Sequence, residues 1–257
     1  MQVTFLGTGD SMGTPRVYCD CEVCGEARSG GRNRRYRASI LLETEGELPL
    51  LLDCGPDWRG QMEAIGRRGI AQALITHAHF DHIGGLTEWA DVCRWREERG
   101  KLYAPEEVLR EIVSRFPWIG GQLSMLANDG GMDYGEWRIT PWRVNHGKNG
   151  YAYAYRFENK KDGRAWAYCS DSIHLEPEQK APLRGLSLLV LGTSFVEENY
   201  PVETRSVYDM REGAELAAET KPGRVLFTHL SHDVDVRADY GLPANVSLAL
   251  TGMSVSV

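Results

Sequence analysis

The sequence predicts an α/β fold: an αββα sandwich of two mixed β-sheets with outer helices. Two observations carry this. Short apolar runs of strand length outnumber the helical patterns. They also come in clusters rather than in strict alternation with helices, so a purely parallel, doubly wound sheet is not expected. The 257 residues are enough for one large domain with a proper core, expected to span 1–257.

The strand-like runs begin with QVTFLG (2–7), RASILLE (37–43) and LPLLLDCG (48–55). ETEGEL, at 43–48, is a turn joining the second and third into a hairpin. AQALITH (71–77), WRITPWRVNH (137–146), YAYAYRF (151–157), RAWAYCSD (164–171), LSLLVLG (186–192) and RVLFTHLSH (224–232) follow. Between them lie helical patterns. In LTEWADVCRWREER (86–99), Leu86, Trp89, Ala90 and Cys93 fall on one face. APEEVLREIVSRF (104–116) and VYDMREGAELAAET (207–220) read likewise. The stretch 117–136 has no strong period and reads as a lid, a contact surface or an irregular connection.

Composition narrows the function. The chain is 42% hydrophobic and 25% charged, with a formal net charge of -7. An acidic chain is a poor generic binder of nucleic acid, which needs clustered Lys and Arg. Arg28, Arg32, Arg34, Arg35 and Arg37 form the one local exception and read as a solvated or structurally paired loop. No signal peptide or membrane span is evident, so the expected location is cytoplasmic. In GTGDSMGTP the glycine spacing departs from the dinucleotide motif, and a tight turn after the first strand is the reading.

Six cysteines divide into two groups. Cys54, Cys93 and Cys169 sit singly in apolar surroundings as small core residues. Cys19, Cys21 and Cys24 fall within six residues, where a metal is a better use for thiols than a cytoplasmic disulfide. Three thiols leave a tetrahedral zinc one ligand short.

The strongest signal is ITHAHFDHIGGL. His77 and His79 are two apart at the end of a strand, so both rings face one side. Asp81 and His82 follow as the chain turns through Gly84 and Gly85. His146, Asp171 and His229 each end a further expected strand, where α/β sheets place their sites. Imidazole and carboxylate ligands suit zinc, iron or manganese, and spacing does not choose among them.

In order, THAHFDH, NHG, SDS and THLSH resemble the metallo-β-lactamase superfamily over nearly the whole chain. The opening GTG…G.P turn, the C-x-C-x-x-C and the arginine segment are more similar to its PhnP-like branch, cyclic phosphate phosphodiesterases. The resemblance implies a metal-dependent hydrolase with a dinuclear centre. One cation would take His77, His79 and His146, the other Asp81, His82 and His229, with Asp171 bridging. A metal-bridging hydroxide would attack a small, including cyclic, phosphate ester, with Asp81 also orienting it. Asp53 would be the carboxylate that holds the histidine loop. The resemblance also supplies the missing thiol partner: Cys19, Cys21, Cys24 and His232 would hold a structural zinc on a loop at about 15–37. The expected cofactors are thus two divalent cations (zinc or manganese, with iron open) and one zinc. The expected partners are a small phosphate ester and a second copy in a homodimer, with no nucleic acid and no membrane.

One position departs from the branch. After LLVLG the PhnP-like enzymes carry a histidine as general acid; here Phe195 stands near it. His174, three residues past Asp171, is the one unassigned histidine and the candidate acid. Tyr200, Glu197 and Glu198 are further candidates. Other chemistry on the same core, a nuclease or lactonase, stays open, as does a non-hydrolytic PqqB-like accessory role. The absence of a long basic arm argues against a tRNase Z-like role. His79, where a flavodiiron protein would have Glu, argues against an oxidoreductase.

Overall fold

Leu50, Leu51 and Leu52 are consecutive on one strand, and all three are buried. A strand hides consecutive side chains only where both faces of its sheet are covered. The computed structural model, which describes residues 1–257, has that arrangement. Leu50 and Leu52 enter a core between two sheets, while Leu51 enters a core under helices. In the other sheet Leu188 and Val190 face the shared core, and Leu189 and Leu191 face helices. Period-two alternation thus feeds three apolar layers.

The chain first lays down β1 (Gln2–Gly7), β2 (Ser39–Glu43), β3 (Leu50–Leu52), β4 (Gln72–Leu74), β5 (Gly100–Ala104) and β6 (Leu123–Ala127). It then builds a second sheet from β7 (Met132–Tyr134), β8 (Trp137–Asn145), β9 (Tyr151–Asn159), β10 (Ala165–Cys169), β11 (Leu188–Gly192), β12 (Arg224–Thr228) and β13 (Val246–Leu248). Finally β14 (Ser254–Ser256) returns to pair with β1. The sheets run β14-β1-β2-β3-β4-β5-β6 and β13-β12-β11-β10-β9-β8-β7. Both are mixed. The first is antiparallel through β3 and parallel beyond it. The second is antiparallel from β7 to β10 and parallel from β10 to β13.

The helices are α1 (Glu22–Arg28), α2 (Trp58–Ala64), α3 (Phe80–Ile83), α4 (Leu86–Trp95), α5 (Glu106–Arg115), α6 (Pro177–Lys180) and α7 (Met210–Thr220); α2, α4 and α5 cover the outer face of the first sheet and α7 that of the second. Leu86, Trp89, Ala90 and Cys93 of α4 are buried, as their spacing requires. Helix α7 opens with a capping box. The Asp209 carboxylate accepts the Glu212 N–H at 2.8 Å, and the Glu212 carboxylate accepts the Asp209 N–H at 3.2 Å. This is the metallo-β-lactamase sandwich. No helix is long and apolar enough to cross a membrane.

One open reading is resolved and one expectation needs correcting. The stretch 117–136 is not a lid: it supplies β6 and β7, the edge strands of the two sheets, and carries the chain between them. The strand in AQALITH is shorter than its pattern, ending at Leu74. His77 and His79 therefore sit on the loop beyond it.

Candidate active site

The candidate ligands lie on loops that leave the carboxyl ends of strands in both sheets. His77 and His79 follow β4, His146 follows β8, Asp171 follows β10 and His229 follows β12. Asp81 and His82 ride on the short helix α3. His77, His82, Asp171 and His229 are all buried. Three groups of ligand atoms each fall within 4.8 Å: His77, His79 and His146; Asp81, His82 and His229; and His77, His82 and Asp171.

Each buried ring has its other nitrogen tied, which fixes the free lone pair. His82 Nδ1–H donates to Asp53 Oδ2 at 2.8 Å. His146 Nδ1–H donates to the Ser206 carbonyl at 2.7 Å. Thr76 Oγ1 donates to Asp53 at 3.0 Å and so is left to accept from His77 Nδ1, also at 3.0 Å. His229 Nδ1 meets Ser194 Oγ at 3.2 Å. The Nε2 atoms of these rings then point inward. His82 Nε2 lies 3.2 Å from Asp171 Oδ2, and His229 Nε2 lies 3.3 Å from Asp171 Oδ1. His82 Nε2, His229 Nε2 and Asp171 Oδ2 nevertheless have no hydrogen-bond partner. Buried polar atoms left unpaired are costly, and several converging on one point fit a cation. His77 Nε2 and His79 Nδ1 face each other at 2.9 Å. Two nitrogens ligating one metal at about 2.0–2.1 Å adopt about that separation at a right angle.

The backbone is specialised here. Asp53 and His229 both have positive φ, 63° and 59°, which is unusual for residues with a Cβ. Gly55 lets two loops close, since a Cβ there would meet the Asp81 carbonyl at 2.1 Å. Strand β9 steadies the histidine loop: Tyr153 N donates to Thr76 O at 3.1 Å, and Tyr155 OH to Ile75 O at 2.8 Å.

Electrostatics follow the carboxylates. Burial pulls His77 well below its ordinary pKa, and the neighbouring His82 adds to it. Burial acts the same way on His229, but Asp171 and Asp81 outweigh it and hold the ring up at about 9. Burial would raise Asp171, yet His229 and His82 hold it well below the usual range.

A cavity of about 230 Å³ opens onto this cluster, walled by His79, His146, Asp171, His229 and Phe195 among others. His174 does not reach it. Ile173 and Leu175 are buried on either side, so alternation turns His174 outward into solvent, at φ 49°. It lines a separate depression with Lys180, Tyr208 and Glu219. The candidate acid is therefore not brought to the cluster. Of the other candidates, Glu198 lines the cavity but is paired with Arg205 at 3.2 Å. The sequence reading also missed cavity residues: Asp10, Ser11, Arg16, Lys148 and Asn149. Lys148 follows His146 by two, and that adjacency was the one available signal.

The second cluster lies at the N-terminal loop. Cys19, Cys21, Cys24 and His232 place their ligand atoms within 4.8 Å of one another. Cys21 Sγ and Cys24 Sγ lie 3.6 and 3.5 Å from His232 Nδ1. Sulfur at about 2.3 Å and nitrogen at about 2.0–2.1 Å from a tetrahedral zinc would stand about 3.6 Å apart, so the donors fit one. His229 and His232 thus flank one turn and face the two clusters. Arg35, from the arginine run, is buried beside it and donates to Ser231 O at 2.8 Å and Val234 O at 3.0 Å. It is a structural tie.

Residues 49–230 match the Beta-lactamase superfamily domain. The chain belongs to the β-lactamase superfamily. The crystal structure of a diphosphatase from the PhnP family superposes with a TM-score of 0.85 at 29% identity, covering 99% of this chain and 96% of that one. Zn²⁺-bound PqqB from Methylobacterium extorquens gives 0.82 at 20% identity over the whole of both chains, a likeness of fold. An octanoyltransferase of Porphyromonas gingivalis is 35% identical over 159 residues, 58% of this chain. The match spans about a third, 31%, of that relative's length.

Proposed function

We propose that this superfamily member is a metal-dependent hydrolase of small phosphodiesters. The carrying observation is the convergence of His82 Nε2, His229 Nε2 and Asp171 Oδ2, each buried and without a hydrogen-bond partner. His77, His79 and His146 would hold one divalent cation, Asp81, His82 and His229 a second, and Asp171 both. Zinc, manganese and iron all suit these donors. When bound, such a pair supplies Lewis acidity and water of lowered pKa, from 15.7 to about 7.

The chain's own residues do the rest. Asp53 and the Ser206 carbonyl hold His82 and His146 in register. Lys148 and Arg16 bring positive charge to a cavity otherwise rich in carboxylates, which suits a phosphate. Phe195 fills wall space without offering a proton, and no histidine outside the ligand set lines the cavity. The departing alkoxide therefore lacks an imidazole donor. The 29% identity to a PhnP-family diphosphatase supports phosphoester chemistry over lactone hydrolysis.

The test is turnover of bis(p-nitrophenyl) phosphate by protein prepared with zinc or manganese. Steady turnover, lost with a chelator and in Asp171→Asn, is expected. A metal-replete protein inert toward phosphodiesters would instead point to an accessory role.

A further inference from the structure

We infer that Arg16 is an anion-binding residue of the substrate and that the depression beyond it receives an uncharged planar arm of the same substrate. This rests on the phosphodiester reading above. A second hollow of about 520 Å³ adjoins the catalytic cavity, and the two share Arg16 and Phe195 as walls. It is more than twice the volume of the cavity holding the ligand cluster, so a substrate confined to the cations would leave it unused. Its remaining walls include Tyr200, Asn199 and His232.

Arg16 is set at the boundary by both clusters' surroundings. Its guanidinium pairs with Asp10 Oδ2 at 2.6 Å and donates to Tyr18 OH at 3.1 Å. Its Nε is buried with no partner. Its backbone N–H donates to Cys24 Sγ at 3.4 Å, and its carbonyl accepts from Arg28 Nη2 at 2.8 Å. The cysteine loop therefore fixes a guanidinium on the wall that the two hollows share. A guanidinium so held suits a phosphate oxygen.

The hollow itself argues against a second phosphate. Beyond Arg16 and the candidate ligand His232 it has no basic residue, and it carries Glu197 and Asp233. Beside Val196 its apolar walls are aromatic: Phe195, half-buried, and Tyr200, exposed to 67%. Exposed aromatic faces stack on planar rings regardless of their sequence of substituents. Asn199 and Glu197 offer a donor and acceptors for ring heteroatoms. A phosphodiester whose non-reacting arm ends in a neutral heteroaromatic ring matches both halves.

The experiment is calorimetric titration of metal-replete protein with thymidine 5′-monophosphate and with methyl phosphate, compared with Tyr200→Ala, Phe195→Leu and Arg16→Met. Binding, unlike turnover, reads the hollow directly. The nucleotide should bind about tenfold or more tighter than methyl phosphate, as stacking on an aromatic side chain predicts. Tyr200→Ala, an exposed position that should not disturb folding, and Phe195→Leu should each close most of that gap. Arg16→Met should weaken both ligands about tenfold at unchanged metal content. Equal affinities in the parent, or a gap that survives Tyr200→Ala, would overturn the assignment. A preserved gap in a protein that turns over no phosphodiester would overturn the hydrolase reading and leave the hollow's assignment standing.

Discussion

His82 Nδ1 lies 2.8 Å from Asp53 Oδ2, across 29 residues of sequence, tying helix α3 to the end of strand β3. The same carboxylate accepts the Thr76 N–H at 2.9 Å through its other oxygen. One buried group thereby sets both the ring that faces Asp171 and the loop that carries His77 and His79. Asp53→Asn keeps the shape but puts an amide N–H where one contact needs an acceptor. It should lower cation affinity or turnover by about 10–100-fold. Titration of metal content against free metal, with circular dichroism as a check on folding, measures it. Parent-like affinity and rate would mean that Asp53 only fills space.

The cysteine cluster predicts a different phenotype. In Cys21→Ser, one metal per chain should be lost while the catalytic set keeps its own. The binding energy of a closed Cys₃His site is folding energy. A loss of roughly 2–3 kcal/mol in a chain of this size lowers Tm by about 5–10 °C. A variant with full metal content and parent Tm would remove the structural zinc from the account.

Leaving-group dependence follows from Phe195. A nitrophenolate departs without a proton, whereas an alkoxide needs one. General acid help is typically worth about 10²–10⁴-fold. Aryl phosphodiesters should therefore be cleaved readily and alkyl ones poorly. The outward position of His174 adds that His174→Ala should leave both rates within about twofold of the parent. A selective loss on alkyl esters in His174→Ala would show that the ring reaches the cavity after all.

Phe157 and Trp166 stack at 3.9 Å with planes 7° apart in the core between the sheets. Phe157→Ala should cost about 3–5 kcal/mol of stability. Urea unfolding gives the value, and a loss under 1 kcal/mol would mean that the sheets do not pack as described.

These residues also show what the sequence could tell. Strands buried on both faces, such as Leu50–Leu52 and Leu188–Gly192, announce themselves as unbroken apolar runs. The edge strands Met132–Tyr134, Val246–Leu248 and Ser254–Ser256 do not, because three residues make no period and one side of each meets solvent or loop. Helix α1 was hidden because Cys24 and Gly25 are read as metal loop before helix. The candidate ligand cluster was legible because histidine is scarce, seven in 257 residues, and falls together with Asp81 and Asp171 just past strand ends. Arg16, Asp10 and Lys148 were not, since a single polar residue in a loop carries no pattern until the fold brings it to a wall. His174 misled through nearness in sequence to Asp171: the alternation of Ile173 and Leu175 was the better guide to its direction.

The central claim is that seven side chains hold two adjacent cations and four others hold a third. Elemental analysis of active, fully loaded protein tests it most directly. The ratio should approach three metals per chain, falling to about two in Cys21→Ser and to about one in a variant with His77, His82 and Asp171 all replaced. A fully active protein containing one metal per chain would contradict the account.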